Sequence, residues 1–201
     1  MWWWISAGVL VILLIPIAIV VVPILTHAPQ GSSNQADSGD PWPTSVTATG
    51  DDGRTRTLTV AAESGSLDTS ALSAGDRIVV TGSGYDSSRG IYVAICAVTP
   101  DGEKPHPCLG GVPEQEEQDV AEGTVQWAPS NWINDDWAWR LFGARGYDDG
   151  AAGTFTAYLE VADPVGEGID CRSDPCAIYT RNDHTALSDR VQDLHIPVGF
   201  E

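Results

Sequence analysis

The chain is 201 residues long, which fits one domain with extensions, and its formal net charge is −18, from 28 Asp and Glu against ten Lys and Arg. That balance excludes nucleic acid as a partner, because phosphate binding needs clustered cations, and it sets the domain as a whole against anionic surfaces. The four cysteines, Cys96, Cys108, Cys171 and Cys176, are spaced C-x11-C and C-x4-C, and neither spacing makes a pair of zinc knuckles. Disulfides in an oxidising compartment are expected instead, and the sequence alone leaves three pairings open.

First in chain order, Trp2–Leu25 is apolar apart from Ser6, Gly8, Pro16 and Pro23. A helix over residues 1–27, at ~1.5 Å per residue, is long enough for a hydrocarbon core of ~30 Å. The run exceeds the apolar part of a cleaved signal peptide and has no basic residue before it, so a single-pass anchor in the lipid bilayer is expected. Trp2, Trp3 and Trp4 suit the headgroup level, and Pro16 kinks the helix unless a neighbouring helix supports it. The N-terminus is expected inside the cell membrane and the cysteine-bearing domain outside it. Residues 28–44, nearly all of them in the Pro-, Gly- and Ser-rich stretch THAPQGSSNQADSGDPWP, read as a tether.

From Ser45 onward β signals recur. Strands are expected at Ser45–Thr49 and Thr57–Ala62. The stretch Arg77–Val98 reads as two strands joined by the turn-rich run around Asp86–Gly90. Its first strand alternates, with Ile78 and Val80 on one face. Its second, Ile91–Val98, is apolar at nearly every position, so both of its faces are expected to be covered. Further strands are expected at Thr154–Val161, Ala177–Thr180 and Val191–Phe200, the last with Leu194, Ile196, Val198 and Phe200 alternating against Asp193, His195 and Pro197. Short strands separated by turns, with no amphipathic helix, predict an all-β antiparallel sandwich over residues 45–201.

Between Cys108 and Gly150 lie about forty residues, an insertion at about 110–149. It opens acidic, with Glu114, Glu116, Glu117, Asp119 and Glu122. Trp127, Trp132, Trp137 and Trp139 follow, then Arg140, Phe142 and Arg145. So many tryptophans argue against disorder. Two readings are open. The segment covers its own sandwich, including the outer face of Ile91–Val98, or it presents Trp127, Trp132, Trp137, Trp139, Arg140 and Phe142 to a partner, these being the residue types enriched at interface hot spots.

The segments ALSAGDRIVVTGSGY…GIYVAICAV, GTFTAYLEV and GIDCRSDPCAIYT together resemble the neocarzinostatin-like actinobacterial β-sandwich proteins. The shared marks are Gly82 and Gly84 after one strand, Cys96 ending the next with Cys108 shortly after, and Cys171 with Cys176 before a late strand. The resemblance implies a seven-stranded immunoglobulin-like sandwich with Cys96–Cys108 and Cys171–Cys176 disulfides. It also implies a cleft near the first disulfide, in which the best-known members cradle an enediyne chromophore. Here Val98 stands where a Trp lines that cleft, ADPVGEG replaces the apolar aromatics expected after the Thr154–Val161 strand, and the anchor and the insertion are additions.

Catalytic signatures are missing: no Walker A loop, dinucleotide fingerprint, HExxH pattern, G-x-S-x-G elbow or C-x-x-C-H attachment site occurs. Asn134-Asp135-Asp136 and Asp148-Asp149-Gly150 offer oxygen atoms to calcium without the EF-hand spacing. No enzyme, no cofactor and no metal is expected. The expected function is that of an accessory or interaction subunit, joined to an integral membrane protein complex through its helix and its Trp-rich insertion. In layout it is similar to the small one-helix subunits of actinobacterial respiratory supercomplexes. The alternative is a binding module for a small apolar ligand or a cell-wall glycan in a cleft near Cys96 and Cys108.

Overall fold

The computed structural model describes residues 21–22, 24–110 and 125–201. Trp2, Trp3, Trp4 and Pro16, and the acidic run Glu114–Glu122, lie outside them. Among the described residues no helix is long and apolar enough to cross a membrane, and most of the anchor expected over 1–27 falls outside that set.

Among the described residues from Ser45 on, ten strands and one short helix follow in order: β1 Ser45–Thr49, β2 Thr55–Ala62, β3 Arg77–Ser83, β4 Ile91–Ala97, β5 Ser130–Ile133, α1 Trp137–Arg140, β6 Phe155–Glu160, β7 Val165–Gly166, β8 Ile169–Asp170, β9 Cys176–Asn182 and β10 His195–Val198. One antiparallel sheet has the order β1-β2-β3-β6 and the other β10-β9-β4-β5, while β7 and β8 form a separate ribbon. The protein is therefore an all-β antiparallel sandwich. Cys96 is bonded to Cys108 and Cys171 to Cys176.

Alternation along each strand builds the core. Leu58 and Val60 of β2, Ile78 and Val80 of β3, and Ala157 and Leu159 of β6 face Ile91, Val93 and Ile95 of β4, Ile178 of β9 and Ile196 of β10. Each such large aliphatic side chain contributes about 1.5–3 kcal/mol by leaving water. On the opposite face of the first sheet, threonine and serine hydroxyls pair across β1 and β2 at 2.8–2.9 Å, the cross-strand hydrogen-bonded pairs that stabilise a wet sheet face.

β3 and β4, expected as strands joined by a turn, do not pair. Residues 84–90 carry the chain across from one sheet to the other. Gly84 makes the corner possible: its φ is +78°, and a Cβ there would sit 2.0 Å from the Thr55 carbonyl oxygen. The dense apolarity of β4 is met on its outer side by a small cluster of Ala94, Cys96, Ala177 and Tyr179 with Cys108 packed against it. Along its edge it pairs with β5 at Ile91–Ala94, and further on with residues 107–109. The cover is thus this chain's own.

The stretch read as a tether also runs over the sandwich. Ser32 bridges to Arg190, and the Gln35 side chain both donates to and accepts from the His195 backbone at 2.8 Å. Further on, Thr69 Oγ1 donates to the Trp42 carbonyl at 3.1 Å. Polar composition does not by itself keep a segment off the surface when its side chains match backbone groups left open at a sheet edge.

Candidate functional site

Two places on this scaffold combine exposure with built chemistry. The first is an open groove of about 290 Å3, walled by Ser32–Gln35 on one side and Val98–Glu103 on the other, with Tyr179, Arg190, Asp193 and His195 between them. It adjoins the first disulfide, because Tyr179 packs in the same cluster as Cys96 and Cys108. The disulfide and the Arg181 Nη1 donation to the Pro105 carbonyl, at 2.8 Å, hold the far wall. The near wall is held by Gln35 on β10 and by Asp51, which accepts from the Ser32 N–H and from Asn34 Nδ2 at 2.8 and 2.7 Å. Those two donors keep the Asp51 carboxyl below the usual carboxylate range.

Inside the groove the electrostatics are set by burial. Asp193 Oδ2 accepts from Arg190 Nη1 at 2.6 Å, while Asp193 Oδ1 is buried without a hydrogen-bond partner. Burial pushes the Asp193 carboxyl up to about 7, against the pull of Arg190. The His195 ring stacks on Tyr179 at 5.0 Å and 27°, and burial lowers its pKa, so near neutral pH it is an uncharged imidazole. The groove therefore offers a flat neutral ring, a largely buried carboxyl paired with Arg190, and the hydroxyls of Ser32 and Ser33. This suits hydroxyl-bearing ligands better than apolar ones. Val98, which the resemblance set at a cleft wall, does line it.

The second place is the turn of the insertion. Asp183 organises it: Oδ2 accepts from Trp132 Nε1 and from Asn134 Nδ2, both at 2.9 Å, and Oδ1 accepts from the Thr185 hydroxyl at 2.6 Å. Gly90 is what admits this carboxylate, since a Cβ there would lie 1.9 Å from Asp183 Oδ2. Trp132 then packs on Tyr92 at 5.9 Å and on His184 at 5.3 Å, and Trp139 meets His184 edge-on at 4.7 Å. Asp136 caps α1 by accepting from the Ala138 N–H at 2.9 Å.

The six residues expected at a partner surface are divided by this arrangement. Trp127 covers Tyr158 at 5.2 Å with Arg77 over its ring at 5.3 Å, so it and Trp132 serve the sandwich. Trp139 is half-buried and Arg140 exposed. Trp137 and Phe142 face outward, 75% and 55% exposed, and Leu141, which the composition did not single out, is 70% exposed. The residues weighed for calcium are engaged in turns: Asp135 accepts from the Tyr147 N–H, Asp148 from the Thr156 hydroxyl, and Asp149 from the Ala151 and Ala152 N–H groups. Among the described residues no group of three or more His, Cys, Asp or Glu could hold a metal ion.

Sequence reading placed Asp193 and His195 on a wet strand face and assigned them no role. They lie in one groove with Ser32–Gln35 and Val98–Glu103, far away in the chain, and no local pattern announces it.

No family model and no curated protein matches the chain. Among solved structures, macromomycin is similar to it over 72% of this chain and 99% of its own, at 18% identity and a TM-score of 0.37. A likeness that distant decides nothing about ligand or partner, and the sandwich stands on its own two sheets.

Proposed function

We propose that this protein is a non-catalytic binding module, held on the outer face of the cell membrane by residues 2–25, that takes a hydroxyl-rich ligand of cell-wall glycan chemistry in the groove between Ser32–Gln35 and Val98–Glu103. The observation that carries the proposal is that this groove stays open beside the Cys96–Cys108 disulfide and that the tryptophans of the insertion do not fill it. A neutral ring stacked at its base suits a sugar face, and the buried Asp193 carboxyl beside Arg190 suits hydroxyl recognition. Isothermal titration of the full chain in mild detergent with a soluble peptidoglycan disaccharide tests it. Saturable binding that Val98→Trp weakens at least tenfold is expected. Equal heats for wild type and variant, or none for either, contradict it.

A second reading draws on a different observation. Exposed Trp137, Leu141 and Phe142 form an apolar surface of the kind that docks on a neighbour in an envelope membrane complex, such as a respiratory supercomplex. Co-purification of companions with the tagged full chain, lost on Trp137→Ser, is its expected result.

A further inference from the structure

We propose that the pole of the sandwich carrying α1 rests on the bilayer itself, with Trp137 and Leu141 entering the lipid interface next to the point where the apolar N-terminal run leaves the domain. This rests on the reading of residues 2–25 as a membrane anchor.

The run does not end in slack chain. His27 Nε2 lies 3.0 Å from Asp189 Oδ2, and both side chains are almost wholly buried. Arg190 N–H donates to the Gly31 carbonyl at 3.2 Å. Leu25, exposed, thus stands two residues from a fixed attachment on the 183–190 loop. That loop also carries His184, on which Trp139 of α1 packs, and the exposed Leu187. Strand register puts these pieces at one end of the sandwich: Ile91 at the start of β4 pairs with Asn182 at the end of β9 and with Ile133 at the end of β5. The loop before β4, the loop after β9 and the insertion after β5 therefore emerge together.

Residues between the attachment and β1 do not lengthen the leash, since they lie along the sandwich and bring Trp42 to Thr69 and Gly199, away from that pole. A bilayer that holds Leu25 consequently meets the α1 pole first. The chemistry there is mixed, with exposed Asp135 and Asp136 just before α1 and apolar and cationic side chains on it. An indole and a leucine one helical turn apart suit the interface between headgroups and acyl chains. Exposed Arg140 stands between them in the sequence, and Arg89 lines the cleft against Val22, Thr26 and His27, so two cations stand at headgroup level.

Full-length protein reconstituted in phosphatidylcholine vesicles, with bromine at shallow or deep acyl positions, tests the proposal by tryptophan quenching. Trp137→Phe should lose a shallow-quenched component that Trp42→Phe keeps, and adding Leu141→Trp to the Trp137→Phe variant should restore it. If the protein stays on the vesicles after an alkaline wash but Trp137→Phe and wild type quench alike, and acrylamide reaches Trp137 freely, the pole does not touch lipid and the proposal is overturned. If the protein washes off, the anchor reading has failed and the proposal with it.

Discussion

At the residue scale, two buried charges make opposite demands. Arg56 is fully buried, pairs with Asp52 at 2.5 and 3.0 Å and lies over the Tyr85 ring at 6.0 Å. Removing it leaves a carboxylate and a packed ring without their partner. Arg56→Ala should therefore lower stability by about 3–5 kcal/mol in urea unfolding, and Arg56→Met by clearly less. An equal loss for both would mean that the charge, not stem packing, is what the site needs.

Asp193 behaves in the other sense. Its folded-state carboxyl is raised to about 7 by burial, so the folded chain holds the proton more tightly than the unfolded one. The stability this contributes is present below the ordinary carboxylate range and is lost as pH rises to about 7. Asp193→Asn should then raise the thermal midpoint at pH 8 by about 3–6 °C, with the gain shrinking at pH 4, where the wild-type group is already neutral. A midpoint that falls at both pH values would show that the Arg190 ion pair outweighs desolvation.

At the element scale, the insertion is half structural and half presented. Trp132 donates to Asp183 and packs under α1, so Trp132→Ala should cost about 2 kcal/mol, less than the ~3–5 kcal/mol of a fully buried Trp. Trp137→Ala should stay within ~0.5 kcal/mol of wild type, as exposed side chains do. Chemical denaturation of both variants separates the two roles; equal losses would contradict the division. Replacing Cys96 and Cys108 together by Ala frees a loop that spans 12 residues of sequence, and should cost about 2–3 kcal/mol while weakening ligand binding through the groove wall.

Most strands were legible because period-2 alternation is local, as in Ile78 and Val80 against Val79 and Thr81. What paired with what was not. The turn residues of 84–90 fit a return and a crossing equally well, so β3 and β4 were joined in expectation and lie in opposite sheets. β5, Ser-Asn-Trp-Ile, carries no alternation of its own and is a strand because the edge of β4 receives it. That β4 was covered could be read from its apolar run, whereas its cover could not. The groove was less legible still: Asp193 shares it with two segments 90 or more residues away, one of which has the composition of a tether.

At the scale of the whole molecule, the strap of residues 27–42, the walls of the groove and the α1 pole form one mechanical unit. The strap forms one wall of the groove and ends at the attachment of the apolar run. Ligand in the groove should therefore steady the strap, and a membrane at the α1 pole should leave the groove accessible. The most direct test is hydrogen–deuterium exchange of the full chain in vesicles, with and without the peptidoglycan disaccharide. Slowed exchange confined to residues 32–35 and 98–105 is the expected result. Unchanged exchange there, or protection only at 137–142, would contradict the account.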